Sequence, residues 1–191
     1  MKGGAPERVE EIDVVRMILA LIWAAAAVVG APGADLSGDR SAQALAAAGA
    51  LAGREGRLED AVAAFSEALR FGPDAKVFLN RGVALERLGR HRLAAEDFTS
   101  ALRLRPDDAD AYRGRGVARD EVGDYSGAVA DYSEALRLQP RNAETLFDRA
   151  AAYEHWRRYR AASADYQAAL QIDPELSPAA QALKRLGQRR P

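Results

Sequence analysis

The side chains that could carry chemistry are few and scattered. His91 and His155 are the only histidines, and there is no cysteine. The missing thiols exclude disulfides, cysteine nucleophiles and cysteine-based zinc sites. No grouping of His, Asp and Glu has the spacing of a metal site. Ser66, Ser100, Ser126 and Ser133 have no histidine partner in view, so no activated hydroxyl is indicated. Gly114-Arg115-Gly116 looks like a fragment of a phosphate-cradling loop, but no strand precedes it and Gly116 has another role described below. No catalytic, metal-binding or cofactor-binding residue is expected, and the chain does not read as an enzyme.

The elements that would position any site follow from a different pattern. Pro73, Pro106, Pro140 and Pro174 are separated by 33, 34 and 34 residues. Measured back from each proline, the same residue types return. Alanine stands at Ala61, Ala94, Ala128 and Ala162, and an aromatic at Phe65, Phe98, Tyr132 and Tyr166. The pairs Ala68-Leu69, Ala101-Leu102, Ala135-Leu136 and Ala169-Leu170 follow, and a small residue recurs earlier at Gly49, Gly82, Gly116 and Ala150. Residues 125–138 place apolar side chains at close to i, i+3, i+4 and i+7, one face of an amphipathic helix. Small residues let two helix axes approach closely, and the aromatic fills the seam beside them. Gly56, Gly89 and Gly123 stand where a first helix must stop in the left-handed conformation. Asp124 is placed to cap the second helix, and Asp107, Asp108 and Asn142 to cap the next hairpin. Helices of roughly 14 residues are marginal alone, so their stability must come from stacking.

A repeat of about 34 residues built this way resembles the tetratricopeptide repeat family, in its bacterial form with an N-terminal signal or anchor segment. The resemblance implies an all-α, right-handed superhelical solenoid of four helix-turn-helix hairpins. The units are 42–74, 75–108, 109–142 and 143–176. Ser177-Pro178 opens a capping helix to about residue 186, within a final segment of 177–191. In this family the first helix of each hairpin lines a concave groove for an extended peptide or a partner helix. That puts Lys76, Asn80, Val83 and Arg87 in the groove from the second unit. The third unit offers Arg113, Val117 and Asp120. The fourth offers Glu144, Phe147, Asp148, Ala151 and Glu154. Members that bind a chaperone's terminal carboxylate use a Lys/Asn/Arg clamp; here only Lys76 and Asn80 resemble it, while Asp120 and Asp148 stand where positive charge would help. A mixed, slightly acidic groove with Phe147 as its apolar spot points to a basic or neutral protein segment. The expected function is a non-catalytic protein-interaction scaffold. Its alternatives are a self-associating assembly protein and an accessory subunit of an enzyme complex.

Charge agrees with a protein partner. The chain holds 27 Lys+Arg and 28 Asp+Glu; setting aside Lys2, Arg8, Arg16, Glu7, Glu10, Glu11 and Asp13 leaves 24 of each. Such a surface lacks the broad basic face of a nucleic-acid binder. Residues 17–34 are uncharged, with a strongly apolar part at 17–29, Arg16 in front, and small residues behind. That order reads as a signal peptide cleaved after Gly33 or Ala31, giving an exported, periplasmic protein. The alternative is an inner-membrane anchor, because an uncharged run of this length just reaches the minimum for spanning. The four acidic residues before Arg16 are not a basic n-region: either the true start lies nearer Val14 or Val15, or the segment stays in the membrane. Residues 35–41 then read as a polar linker.

Two units depart from the pattern. Ala52 and Gly53 replace larger side chains, so the first helix is expected to pack lightly and fray. In the fourth unit Arg157 replaces the turn glycine, which predicts a rebuilt turn, and Ala150 replaces the crossing glycine. Around it lies His155-Trp156-Arg157-Arg158-Tyr159-Arg160. Its rings are expected in the buried slots of Leu88/Val122 and His91/Tyr125, with the charges as a solvated rim.

Overall fold

The computed structural model describes residues 36–188. Among them are nine helices and no strand. Four antiparallel hairpins follow in order: α1 (Leu36–Arg54) with α2 (Leu58–Leu69), α3 (Ala75–Arg87) with α4 (His91–Leu104), α5 (Ala109–Glu121) with α6 (Tyr125–Leu138), and α7 (Ala143–His155) with α8 (Tyr159–Ile172). The final helix, α9 (Ser177–Gln188), closes the stack against α8. Each helix packs on the next, and the first helices also touch one another, α1 on α3, α3 on α5 and α5 on α7. The first helices therefore lie on the inner, concave side of the array.

Each hairpin is built around one buried ring. Phe65, Phe98, Tyr132 and Tyr166 are between 1% and 2% exposed. Ala61, Ala94, Ala128 and Ala162 are completely buried beside them. Burial of each ring stabilises the array by about 1.5–3 kcal/mol. The crossing glycines exist for these rings: a Cβ on Gly49, Gly82 or Gly116 would lie 2.8, 2.9 and 2.7 Å from the aromatic of its own hairpin. The fourth hairpin tolerates the methyl of Ala150, which is fully buried in the cluster around Tyr166.

The hairpin turns use one geometry four times. Gly56, Gly89 and Gly123 have φ of 78°, 72° and 83°, and Arg157 adopts φ 59° in the same place. The turn expected to be rebuilt is not: the amide of Arg157 donates to the Glu154 carbonyl at 2.9 Å, as Gly123 does to Asp120. Packing on both sides holds Arg157 there at a cost of about 1–2 kcal/mol. Between hairpins the side chains of Asp74, Asp108 and Asn142 accept from the amides of Val77, Ala111 and Thr145, so each first helix is capped. Asp107 is not a cap. Among the second helices only α6 has a side-chain cap, from Asp124 to the Gly127 amide at 3.0 Å.

Three further expectations need correction. The polar linker at 35–41 is helical from Leu36, because no proline followed by a capping Asp or Asn precedes Ala42 as it does in the other units. Gln43 even donates to Asp39 one turn back, at 3.0 Å. The first helix runs unbroken to Arg54, with Ala52 completely buried in the cluster of Leu45, Phe65 and Val77. Finally, Trp156 and Tyr159 are 38% and 42% exposed, and Val122, which occupies the slot of Trp156, is itself 46% exposed. That slot faces outward, and at Tyr159 the ring is more exposed than His91 and Tyr125, which are half-buried in the same slot. Among the described residues no helix is long and apolar enough to cross a membrane. The apolar run at 17–34 and the signal or anchor read from it lie outside the described residues.

Candidate binding groove

Helical spacing puts Lys76, Asn80, Val83 and Arg87 on one face of α3, and the inner position of that helix turns this face toward the concavity. Between α3 and α5 lies a trough of about 420 Å³. Leu79, Val83 and Val117 form its walls and the edge of the Phe98 ring its floor. Position 114, where the neighbouring repeats carry Asn80 and Asp148, is a glycine, which lets α5 lie directly against that buried ring. A Cβ on Gly114 would lie 2.5 Å from the Phe98 ring. A second trough of about 350 Å³, between α1 and α3, has Gly49, Gly53 and Phe65 in its wall and shares Asn80 and Val83 with the first. The two lie on either side of Asn80 and Val83, and together they make the channel of hairpins one to three. Glu86 and Asp110 rim it, and among the described residues neither pairs with a cation.

Beyond Val117 the concave face changes character. Arg113 reaches across to the next hairpin, with Nε 2.7 Å from Asp148 and Nη1 2.7 Å from Glu144. Asp120 holds His155 Nδ1 at 3.0 Å. Glu154 accepts from Arg185 of the cap at 2.8 Å and from the Tyr166 hydroxyl at 3.3 Å. Burial pushes the Asp148 carboxyl above its ordinary value, and Arg113 offsets only part of that. The Arg113 guanidinium is lowered by burial yet ends above its ordinary value because of Asp148 and Glu144. Phe147, expected as the apolar spot of the groove, stacks at 5.5 Å on Tyr166 and packs on the cluster of the last hairpin.

The predicted residues therefore fall into two groups. Asn80, Val83, Arg113 and Val117 line the channel. Lys76 is exposed beyond it. Arg87 borders the second trough and donates to the Gly53 carbonyl at 3.0 Å, tying hairpin two to hairpin one. Asp120, Glu144, Asp148 and Glu154 are engaged in links between neighbouring units, and Ala151 is half-buried. Leu79, Glu86, Phe98, Asp110 and Gly114 were not foreseen.

Nor was a ladder of charge inside the stack. Arg81, Arg115 and Arg149 each grip a carboxylate of the same hairpin with two bonds, Asp97, Asp131 and Asp165, at 2.7–2.9 Å. Each also donates to a hydroxyl of the preceding hairpin, Ser66, Thr99 and Ser133. Those hydroxyls donate in turn to Val62, Ala95 and Val129 carbonyls in their own helices. The carboxylate bonds hold all three guanidinium groups above their ordinary pKa against the effect of burial. The signal was present in the sequence: arginine recurs 25 residues before each of the last three prolines and aspartate nine before, while hairpin one, with no predecessor, has Ala48 and Ala64. The ladder and the helix backbones thus occupy the hydroxyls of Ser66 and Ser133, and Ser100 donates to the Glu96 carbonyl. Among the described residues no group of His, Asp and Glu could hold a metal ion.

Family models described as TPR repeat and tetratricopeptide repeat match residues 121–155, 79–121 and 143–176. No curated protein matches the sequence. Among solved structures, MamA from Desulfovibrio magneticus RS-1 is similar at a TM-score of 0.74 and 23% identity, over 78% of this chain and 85% of that one. YrrB, described as a TPR protein with an unusual peptide-binding site, aligns at 0.71 and 20% identity over 91% and 90%. The first TPR of Spaghetti (RPAP3), bound to the HSP90 peptide SRMEEVD, aligns at 0.58 and 21% identity over 60% and 90%. Matched repeats, matched fold and the four-fold register of buried rings agree: the chain belongs to the tetratricopeptide repeat family.

Proposed function

We propose that this protein is a non-catalytic protein-interaction scaffold, and that its ligand is an extended peptide segment or partner helix seated in the channel of hairpins one to three. One observation carries this reading: between hairpins two and three, Leu79, Val83 and Val117 line a trough beside a rim where Glu86 and Asp110, among the described residues, pair with no cation. An apolar side chain followed by a Lys or Arg matches both features. Of the structures that share the fold, YrrB is described with a peptide-binding site and the RPAP3 repeat with a bound peptide. The acidic peptide of the latter does not suit this rim, where like charges would meet.

The test is Val83→Arg. Val83 is 45% exposed at the centre of the channel, so a charge there leaves stability within about 0.5 kcal/mol. Affinity for a short peptide of alternating Leu and Lys is expected to fall at least tenfold, as for the loss of an anchor pocket. Unchanged affinity would place the ligand elsewhere. The same reading sets the scaffold in the cell envelope, on the support of the uncharged run at 17–34 behind Arg16. N-terminal sequencing of the fractionated protein should find a start after Gly33 or Ala31. An intact Met1 in the soluble cytosolic fraction would overturn the placement.

A further inference from the structure

On the edge formed by the hairpin turns, the fourth turn differs from the other three. It alone places a side chain in the left-handed conformation, Arg157 at φ 59°, where its siblings carry glycine. Three arginines, 157, 158 and 160, fall within four residues. Among the described residues none of their guanidinium groups makes a hydrogen bond or ion pair. Elsewhere on this edge Arg57 is neutralised by Glu55 and Asp60 and Arg90 by Glu59, which leaves Arg92 as a single unpaired cation where the fourth turn has three. The fourth hairpin's own acids are already committed, Glu154 to Arg185 and Asp165 to Arg149. Arg158 instead lies 4.9 Å over the Trp156 ring, and Trp156 and Tyr159 stay 38% and 42% exposed. It also stands at the N-terminal, positive end of α8, which has no side-chain cap.

We infer that this turn is a second docking surface, separate from the groove, for a short acidic segment of a partner protein. A strained, uncompensated cation beside two half-exposed rings is unfavourable for the free chain, and negative charge with an apolar neighbour relieves it. The size of the patch selects the partner class. The preceding turn, one hairpin away, carries exposed Glu121 and Asp124. A bilayer or a nucleic-acid duplex broad enough to cover the fourth turn would meet those carboxylates, since neighbouring helices lie only about 10 Å apart. A segment of a few acidic residues fits between them.

The probe is a fluorescein-labelled peptide of glutamates around one phenylalanine, followed by anisotropy. The wild-type chain should bind it, more weakly as salt rises. Arg157→Gly with Arg158→Gln and Arg160→Gln should lose about tenfold in affinity, and Trp156→Ala a similar factor. Val83→Arg should change nothing, which separates this surface from the groove. Arg157→Gly alone gives opposite signs in two readouts: weaker binding, and a Tm higher by about 3 °C as the turn relaxes. Equal binding of a lysine-for-glutamate peptide would overturn the inference, as would an unaffected triple variant. So would capture of anionic vesicles or single-stranded RNA through these arginines when the peptide fails. A change in affinity for the acidic peptide on Val83→Arg, in either direction, with the triple variant unaffected, would place it in the groove and sink this surface while leaving the groove standing.

Discussion

The two halves of the concave face are built from the same helices in the same register, yet one is open and the other closed. Across hairpins one to three, Gly49, Gly53, Asn80, Val83 and Gly114 line a channel floored by Phe98. From Arg113 onward the corresponding space is crossed by Arg113–Asp148, Arg113–Glu144, His155–Asp120 and Arg185–Glu154, each joining one hairpin or the cap to its neighbour. The buried rings and small crossing residues hold the hairpins together in both halves. What differs is the set of positions the fold leaves free, and in the second half these carry charge that is spent within the chain. A partly buried ion pair adds little stability over a well-packed apolar contact, but leaving one member alone is costly. The closed half should therefore be fixed in its spacing and sensitive to loss of a single charge. The open half keeps apolar surface for a ligand.

The largest expected effect tests that sensitivity inside the ladder. Asp131 is 3% exposed and accepts from both Arg115 and Arg119. Asp97, its counterpart in hairpin two, accepts from Arg81 alone. Asp131→Ala takes the main carboxylate from two guanidinium groups and should cost about 3 kcal/mol, read as the midpoint of urea unfolding. Asp97→Ala should cost measurably less. An equal or reversed order would break the claim that the third hairpin depends more on charge than the second.

A smaller effect appears at alkaline pH. The seam rings are Phe65 and Phe98 in the first two hairpins and Tyr132 and Tyr166 in the last two. Burial raises both phenols well above their ordinary value, helped by Asp148 and Asp120 at Tyr132 and by Glu154 at Tyr166. The unfolded phenol ionises near pH 10 while the folded one keeps its proton. Stability from these groups is therefore full below about pH 10 and falls as pH rises, by about 1.4 kcal/mol per pH unit for each buried phenol. Amide exchange should show α5–α8 opening before α1–α4. Tyr132→Phe with Tyr166→Phe should remove the difference; a slope that persists would assign it to other groups.

Most of the scaffold was legible because each of its rules is local. A ring eight residues before a proline, an alanine twelve before it and a glycine at the turn depend on one hairpin's own register. Even the ladder could have been read, since Arg115 and Asp131 recur with the repeat. The opening of the groove could not, because it depends on whether charges one repeat apart meet. Arg113 and Asp148 look equally available as ligand contacts until the stack brings them to 2.7 Å. Phe147 failed for a related reason: the apolar residue in a groove list was the neighbour of Tyr166, and packing claimed it first. Gly114 belongs to the packing as Gly116 does: a side chain there would strike the Phe98 ring, so the glycine lets α5 close on it.

Arg113→Gln gives the smallest change in stability and the sharpest test of the two halves. Arg113 is the link that carries the channel's end into the closed region; of its two partners Glu144 is exposed and only Asp148 is partly buried. Losing it should cost about 1 kcal/mol at neutral pH. Asp148 then stands beside Glu144 without its cation, so its already raised carboxyl pKa rises further. A raised carboxyl favours the folded state at low pH and loses that contribution as pH climbs through its folded value. The deficit of the variant should therefore be smaller near pH 4 than near pH 8. Asp148 and Glu144 also become free to meet a basic ligand. A photoreactive group at Phe147, silent toward the Leu/Lys peptide in the parent chain, should then capture it, while one at Val83 captures it in both. Capture at Phe147 in the parent would mean that the second half was never closed. Silence in both would mean that packing around Tyr166, and not the ion pairs, keeps the ligand out.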